Sequence, residues 1–393
     1  MSLPLAAPGS HLHPRGENMD RSGIIDWLML ALLPGLGAAA KRRLLNAGGD
    51  PGELAQERPL EQMGFRGERS LEVARRARPG LRRLARSELA AARRLGVRIL
   101  PRSSREYPAE LEQLPDPPVV LYKWGTFEGG VTRAALIGSR RCTAYGRRIA
   151  AGLSASLTRQ GLEVVSGGAR GIDTAAHKGA LEAGGSTIAV LGAGLGRLYP
   201  PENRDLFREI AGSGAVLSEL PMDAPARPEQ FPRRNRLIAA LSAAVVVVEA
   251  AGRSGALITA RQALDLGREV MAVPGPIHSP VAEGCHRLIQ QGARLVHTSA
   301  DILDELSPMY TSGLRSPSPG AGPGAETSEK ETIDERAVVA VLDVVEPRHI
   351  DELAERTPLG TARLQAALFS LVLRGSVEEL TGRYYVLRPK TEV

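Results

Sequence analysis

Between residues 105 and 305, short apolar runs alternate with longer amphipathic stretches. The runs are Ala134–Ile137, Glu163–Val165, Thr187–Leu191, Ala215–Leu217, Ala244–Val248 and Glu269–Val273. Between them lie Arg147–Gln160, Ile172–Ala183, Arg236–Ser242 and Ser254–Leu266, whose apolar positions recur at helical spacing. This alternation predicts an α/β fold, a parallel sheet with helices on both faces. Val245–Val248 is wholly β-branched, as expected of a central strand buried on both sides.

The pattern changes on either side of this core. Residues 1–22 are polar and rich in Pro and Gly and predict a disordered tail. Residues 23–100 carry helical patterns, with Pro34-Gly35-Leu36-Gly37 separating Ile24–Leu33 from Ala38–Leu45. A Pro-Gly-x-Gly turn is similar to the hairpin of helix-hairpin-helix modules, whose turn amides can meet a phosphate. It serves equally as a plain helix–helix turn. Lys41, Arg42 and Arg43 follow it and keep the phosphate reading open. Residues 101–308 form the α/β domain, and the Ser/Pro/Gly-rich residues 309–330 form a flexible linker. Residues 331–393 show three helical patterns, Glu331–Leu342, Ile350–Arg356 and Thr361–Arg374. A stretch from Val377 to Val386 is then broken by Thr381-Gly382. Three helices and a hairpin predict a winged helix.

Ligands of open parallel sheets bind beyond the carboxyl ends of the strands, so the loops there carry the chemistry. They read Gly138-Ser139-Arg140-Arg141, Ser166-Gly167-Gly168-Ala169-Arg170-Gly171, Gly192-Ala193-Gly194-Leu195-Gly196 and Glu249-Ala250-Ala251-Gly252-Arg253-Ser254-Gly255. Glycines let the backbone approach an anion and turn N–H groups toward it. Helix starts at Ile172 and near Ser254 favour negative charge. Ser139, Ser166 and Ser254 offer hydroxyls, and Arg140, Arg141 and Arg170 offer forked guanidiniums that match phosphate. Phe231-Pro232-Arg233-Arg234-Asn235-Arg236 adds three arginines and an asparagine at a helix start. Phe231 can serve as a stacking platform for an unpaired base, or as core.

Other chemistries fit poorly. Gly192-x-Gly194-x-Gly196 with Glu219 imitates a dinucleotide fingerprint, but the third glycine comes one residue early and Tyr199-Pro200-Pro201 blocks a helix there. No GxxxxGK[ST], HExxH or GxSxG occurs, so no catalytic set and no cofactor is assigned. His177 and Asp173 stand at i,i+4, a spacing that more often makes a structural tie than acid–base machinery. Glu219 and Glu249 end strands near the rim, where carboxylates can hold arginines or assist hydrolysis. A nucleoside monophosphate phosphoribohydrolase-like enzyme is therefore the rival reading, although its Pro-Gly-Gly-x-Gly-Thr loop is missing.

Composition sharpens this picture slightly. Lys plus Arg exceed Asp plus Glu by 50 to 44, which favours an acidic partner. Aromatics are 4%, so any stacking surface is small. The two cysteines, Cys142 and Cys285, form no CxxC or Cys/His cluster, so neither a metal site nor a disulfide framework is expected. The first 20 residues lack the apolar core of a signal peptide, and Ile24–Leu33 is too short to span a bilayer. A cytoplasmic location away from the membrane is expected.

In order and spacing, these loops resemble the DprA/Smf family of DNA-processing proteins. The resemblance rests on Gly138-Ser139-Arg140, Ser166 to Asp173, Ala176-His177, Tyr199-Pro200, Ser218-Glu219, Phe231-Pro232-x-Arg234-Asn235-Arg236, Glu249-Ala250 and Ser254-Gly255. Pro274-Gly275, Gly284-Cys285 and Gly292-Ala293 extend it. It implies a SAM-like helical domain, a Rossmann-like core and a winged helix. It also implies a homodimer that binds single-stranded DNA without cleaving it. Such a protein loads RecA past single-strand binding protein during natural transformation. By this resemblance Arg140, the Gly167–Gly171 loop and Arg233–Arg236 contact the DNA. The third helical pattern of the last unit has only Arg363, Arg374 and Gln365 for reading a major groove, which suits a protein contact better.

Overall fold

The computed structural model describes residues 21–46, 50–52, 68–127, 129–306, 332–344, 346–373, 375–380 and 382–388. The expected tail falls almost wholly outside them, and the expected linker does so entirely. The chain divides into two compact units, residues 1–316 and 317–393.

The first unit is built on a nine-stranded sheet, β1 Val97–Pro101, β2 Val120–Gly125, β3 Arg133–Ile137, β4 Glu163–Ser166, β5 Thr187–Val190, β6 Ala215–Ser218, β7 Ala244–Val247, β8 Glu269–Ala272 and β9 Arg294–Leu295. The order is β1-β2-β6-β5-β4-β3-β7-β8-β9. The six strands expected from the apolar runs are present and pair in parallel, with β9 added beside β8. The sheet as a whole is mixed, because β2 runs antiparallel to both β6 and β1. Successive side chains of a strand point to opposite faces, and both faces are covered. Ala135, Ile137, Val165, Val245 and Val247 pack with Leu237 and Ile238 of α7 (Gln230–Ala240) and Ala256 and Ala260 of α8 (Gly255–Asp265). Ala134, Leu136, Val164 and Val246 pack on the other face with Leu153 and Leu157 of α4 (Ala144–Arg159) and Ala176 and Ala180 of α5 (Ile172–Glu182).

The N-terminal helices are α1 Arg21–Leu32, α2 Ala38–Asn46 and α3 Glu68–Arg94. They share a core with the antiparallel edge: Leu28, Leu30 and Leu33 meet Val97, Ile99, Tyr122, Val216 and Phe207, the last from α6 (Arg204–Ser213). Two further helices, α9 Glu283–Gln290 and α10 Ser299–Glu305, close the opposite edge.

The second unit holds α11 Ile333–Val341, α12 Ile350–Arg356 and α13 Thr361–Leu373, with a small sheet ordered β10 (Arg348–His349), β12 (Tyr384–Leu387), β11 (Val377–Leu380). It is the expected three helices and hairpin, closed around Val338, Leu353, Leu364, Leu368 and Leu371. No helix among the described residues is long and apolar enough to cross a membrane.

Candidate nucleic-acid interface

The sheet order reverses between β3 and β7. From β3 the chain winds through β4, β5 and β6 toward one edge, and from β7 through β8 and β9 toward the other. The loops leaving these two neighbours therefore diverge and open a crevice, the usual ligand position in such sheets. A cleft of about 840 Å³ lies there. Gly138, Ser139, Arg140, Arg141, Ala169, Phe231, Arg234, Asn235, Ser254 and Gly255 line it, which brings together residues from four of the five expected segments, the Gly192–Gly196 loop being the exception. A recess of about 20 Å³ adjoins it between Arg140, Gly167, Arg170, Tyr199, Phe231 and Arg234.

Close backbone packing sets the loop positions. Ser139 donates its N–H to Glu249 O at 2.7 Å, and Ile172 donates to Ser139 O at 3.2 Å. Gly171 has φ +80°, and a Cβ there would collide with Ser139 O, so both conformation and space require glycine. Glu249 is buried. It accepts from the Thr143 N–H at 2.9 Å and from the Thr143 hydroxyl at 2.5 Å. Thr143 in turn caps α4 by accepting from Gly146 N–H at 3.0 Å. The carboxylate thus clamps the loop after β7 to the start of α4 and does not line the cleft. Ser254 caps α8 by accepting from Ala256 N–H at 3.2 Å.

Arg140 and Arg141 are exposed, and neither has a carboxylate at ion-pair distance among the described residues. The Arg140 guanidinium lies 4.6 Å from the centre of the Phe231 ring, a cation–π contact. The Tyr199 ring stands 6.0 Å from Phe231 and is tilted by 48°. Arg170 is also exposed but pairs with Glu202.

The Arg233–Arg236 segment does not act as one unit. It opens α7, and helical geometry spreads its side chains around the axis. Arg234 points inward and is 4% exposed. It donates to the carbonyls of Gly167 and Val190 and, through Nε, to Asn235 Oδ1 at 3.1 Å. A Cβ on Gly167 would lie 2.6 Å from this guanidinium. Burial lowers the Arg234 pKa to about 10, opposed by the Asp173 charge, so it stays protonated at neutral pH. Arg236 is buried against Glu219 and lies 3.4 Å from Asp116, while Arg233 is half-exposed and 3.6 Å from Glu219. Neither Arg233 nor Arg236 lines the cleft or its recess. Of the remaining expected residues, Ser166 is buried and donates to Leu136 O at 2.6 Å. Gly168 packs under Phe207.

Lining residues outside the expected set include Tyr199, Asp173, Pro228 and Thr259. Asp173 is buried and accepts from Ala169 N–H at 3.2 Å, which steadies the glycine loop. Burial raises its pKa, against the pull of Arg234, that N–H and Arg140. His177 is tied instead to Thr187, whose Oγ1 lies 2.9 Å from Nδ1 and itself donates to Val164 O at 2.6 Å. Nδ1 is therefore the protonated nitrogen of a neutral ring, and burial lowers the His177 pKa to about 3.

Comparison with known proteins agrees with the fold of the first unit and with the winged helix of the second. The family model for DNA recombination-mediator protein A matches residues 98–307, and that for the DprA winged helix domain matches residues 322–383. The chain is 42% identical over 220 residues to the DNA processing protein DprA of Bacillus subtilis (strain 168), covering 56% of this chain and 74% of that one. It is 39% identical over 300 residues to Protein Smf of Escherichia coli (strain K12), covering 74% and 77%. The X-ray structure of DNA processing protein A from Streptococcus pneumoniae superposes with a TM-score of 0.60 at 33% identity, covering 73% of this chain and 99% of that one. The reversed sheet order, the loops around its crevice and these matches place the chain in the DNA recombination-mediator protein A family, the DprA/Smf proteins.

Proposed function

We propose that the cleft grips single-stranded DNA by its phosphates and presents it for loading of RecA. One observation carries the reading. Arg140 and Arg141 stand exposed at the cleft without carboxylate partners among the described residues, beside glycine-loop backbone and the Phe231 ring. Guanidiniums so placed offer charge-assisted, bidentate contacts to phosphate, and an aromatic ring offers a stacking face to any base. Binding is then tolerant of sequence, because few side chains reach base edges. A duplex is too wide and stiff to feed successive phosphates into a crevice between two βα loops. The enzyme reading needs a carboxylate aimed at a sugar bond. Glu249 is spent on Thr143, and Glu219 on Arg236.

The family's recombination-mediator description supports the next step, exchange of bound strand from single-strand binding protein to RecA in the cytoplasm. The same reading makes the protein a homodimer through its α/β domain. The test is fluorescence anisotropy of labelled oligo-dT against a matched duplex, with wild type and Arg140→Ala side by side. Preference for the single strand, lost in the variant, is expected. Equal duplex affinity, or no effect of the substitution, would redirect the assignment to nucleotide hydrolysis.

A further inference from the structure

A second, smaller cavity lies on the other side of α7. Its volume is about 260 Å³, and its lining includes Gly37, Ala38, Lys41, Asp116, Glu219 and Arg233. The first turn of α7 is the shared wall: Pro232 and Arg234 line the cleft, and Arg233, between them in sequence, lines this second cavity. The far wall is the Pro34–Gly37 turn with the start of α2. The first-turn N–H groups of a helix have no partner within it and favour negative charge. A Cβ on Gly37 would meet nothing within 4 Å, so this turn is open.

The charges around the cavity leave a surplus of cation. Arg236 engages both local carboxylates, Glu219 and Asp116, and Arg233 shares Glu219 only loosely at 3.6 Å. Lys41 is 8% exposed and has no carboxylate partner among the described residues. Its Nζ donates to Ala31 O at 2.5 Å. Burial and the charge of Arg233 together lower its pKa to about 8. Arg42, next along α2, donates to Pro115 O and fastens the helix to the loop that carries Asp116. Three cations, Lys41, Arg233 and Arg236, thus stand against two carboxylates, Glu219 and Asp116, and leave one positive charge in excess beside the amino end of α2.

We propose that this cavity is a second phosphodiester site, where Lys41, Arg233 and the amino end of α2 receive the strand as it leaves the cleft over α7. The proposal rests on the cleft being a single-strand site, and it gives the Pro34–Gly37 turn the phosphate role its sequence left open. Oligonucleotide length separates the two claims, because a strand too short to cross α7 reports the cleft alone.

The experiment compares oligo-dT of about 6 and about 24 nucleotides by anisotropy, lengths chosen around the span of one binding groove. Two variants are used. Lys41→Gln removes the buried cation. Ala38→Glu places a carboxylate at the cavity, where the helix start tolerates it and folding is preserved. In both, affinity for the long strand is expected to fall about fivefold or more, and its salt slope to shrink by about 0.7 per lost phosphate contact. Affinity for the short strand is expected to stay at the wild-type value. Equal loss on both lengths, or no loss on the long strand in Ala38→Glu, overturns the second site. Failure of the wild-type protein to bind either length overturns the cleft assignment instead.

Discussion

Arg140 and Arg141 stand in solvent on the loop after β3, whereas Arg234 and Arg236 are sunk in protein on α7, although both segments contribute to one crevice. The residue type is the same, and the difference lies in what each guanidinium already touches. Arg234 spends its donors on the Gly167 and Val190 carbonyls and on Asn235, and Arg236 pairs with Glu219. These two are struts that hold the glycine loop and α7 in register. Among the described residues Arg140 packs on the Phe231 ring and has no carboxylate at ion-pair distance, and so its hydrogen-bonding capacity remains for a ligand. A cluster of arginines is therefore not one site but a frame and a grip, and burial separates them.

Four measurements break or sharpen this contrast. Arg234→Ala is expected to cost about 3–5 kcal/mol of stability, because it strands two buried carbonyls and removes the charge that offsets Asp173. Urea unfolding reads this, and a cost below about 1 kcal/mol would mean that Arg234 is not a strut. Arg140→Ala is expected to weaken single-strand binding by about tenfold to a hundredfold, the worth of one or two charge-assisted contacts. Its unfolding midpoint should match the wild type, and a matching loss of stability would merge the two classes.

The third measurement uses His177, a buried neutral group of the frame. Its pKa is about 3 when folded and near 6.5 when unfolded, so below pH 6.5 the unfolded chain takes up a proton that the native chain refuses. The stability it confers is complete above about 6.5 and is lost toward pH 3, by roughly 2 kcal/mol at pH 5. His177→Asn should flatten the difference between urea midpoints at pH 7.5 and 5. An unchanged difference would show that the ring is not held neutral. The smallest effect is expected from removing the second unit by ending the chain near residue 310. Single-strand affinity should stay within about twofold, because a well-placed contact is worth more than that and Arg363 of α13 is already paired with Asp334 at 2.8 Å. A tenfold loss would move part of the grip to the winged helix.

Much of the architecture was legible in the chain. The six apolar runs became strands within a residue or so, because residues buried on both faces leave an unbroken apolar signal. The antiparallel edge was not legible. Val97–Pro101 and Val120–Gly125 include Arg98, Lys123 and Pro101, and α1 and α3 cover them rather than a βα repeat. In the site, the glycine loops announced themselves, since only close backbone approach explains so many glycines beside arginine. The inward turn of Arg234 and Arg236 did not, because its cause is non-local: Gly167, Val190, Asp116 and Glu219 come from elsewhere in the chain. Tyr199 entered the sequence reading beside Pro200 as a helix stop and as part of the family resemblance, not as a ring of the site, yet its ring joins Phe231 at the cleft.

The Thr143–Glu249 clamp has a consequence in time rather than in space. It ties together the loops that leave the two strands bordering the crevice, with both carboxylate oxygens engaged and the glycine at 146 pressed against them. A mouth braced in this way cannot close over its ligand, and a strand that meets it needs no opening step. Capture should then follow a single exponential whose rate rises in proportion to protein concentration, without the plateau that a gated pocket imposes. Release should be as unobstructed, which suits the proposed transfer of the strand.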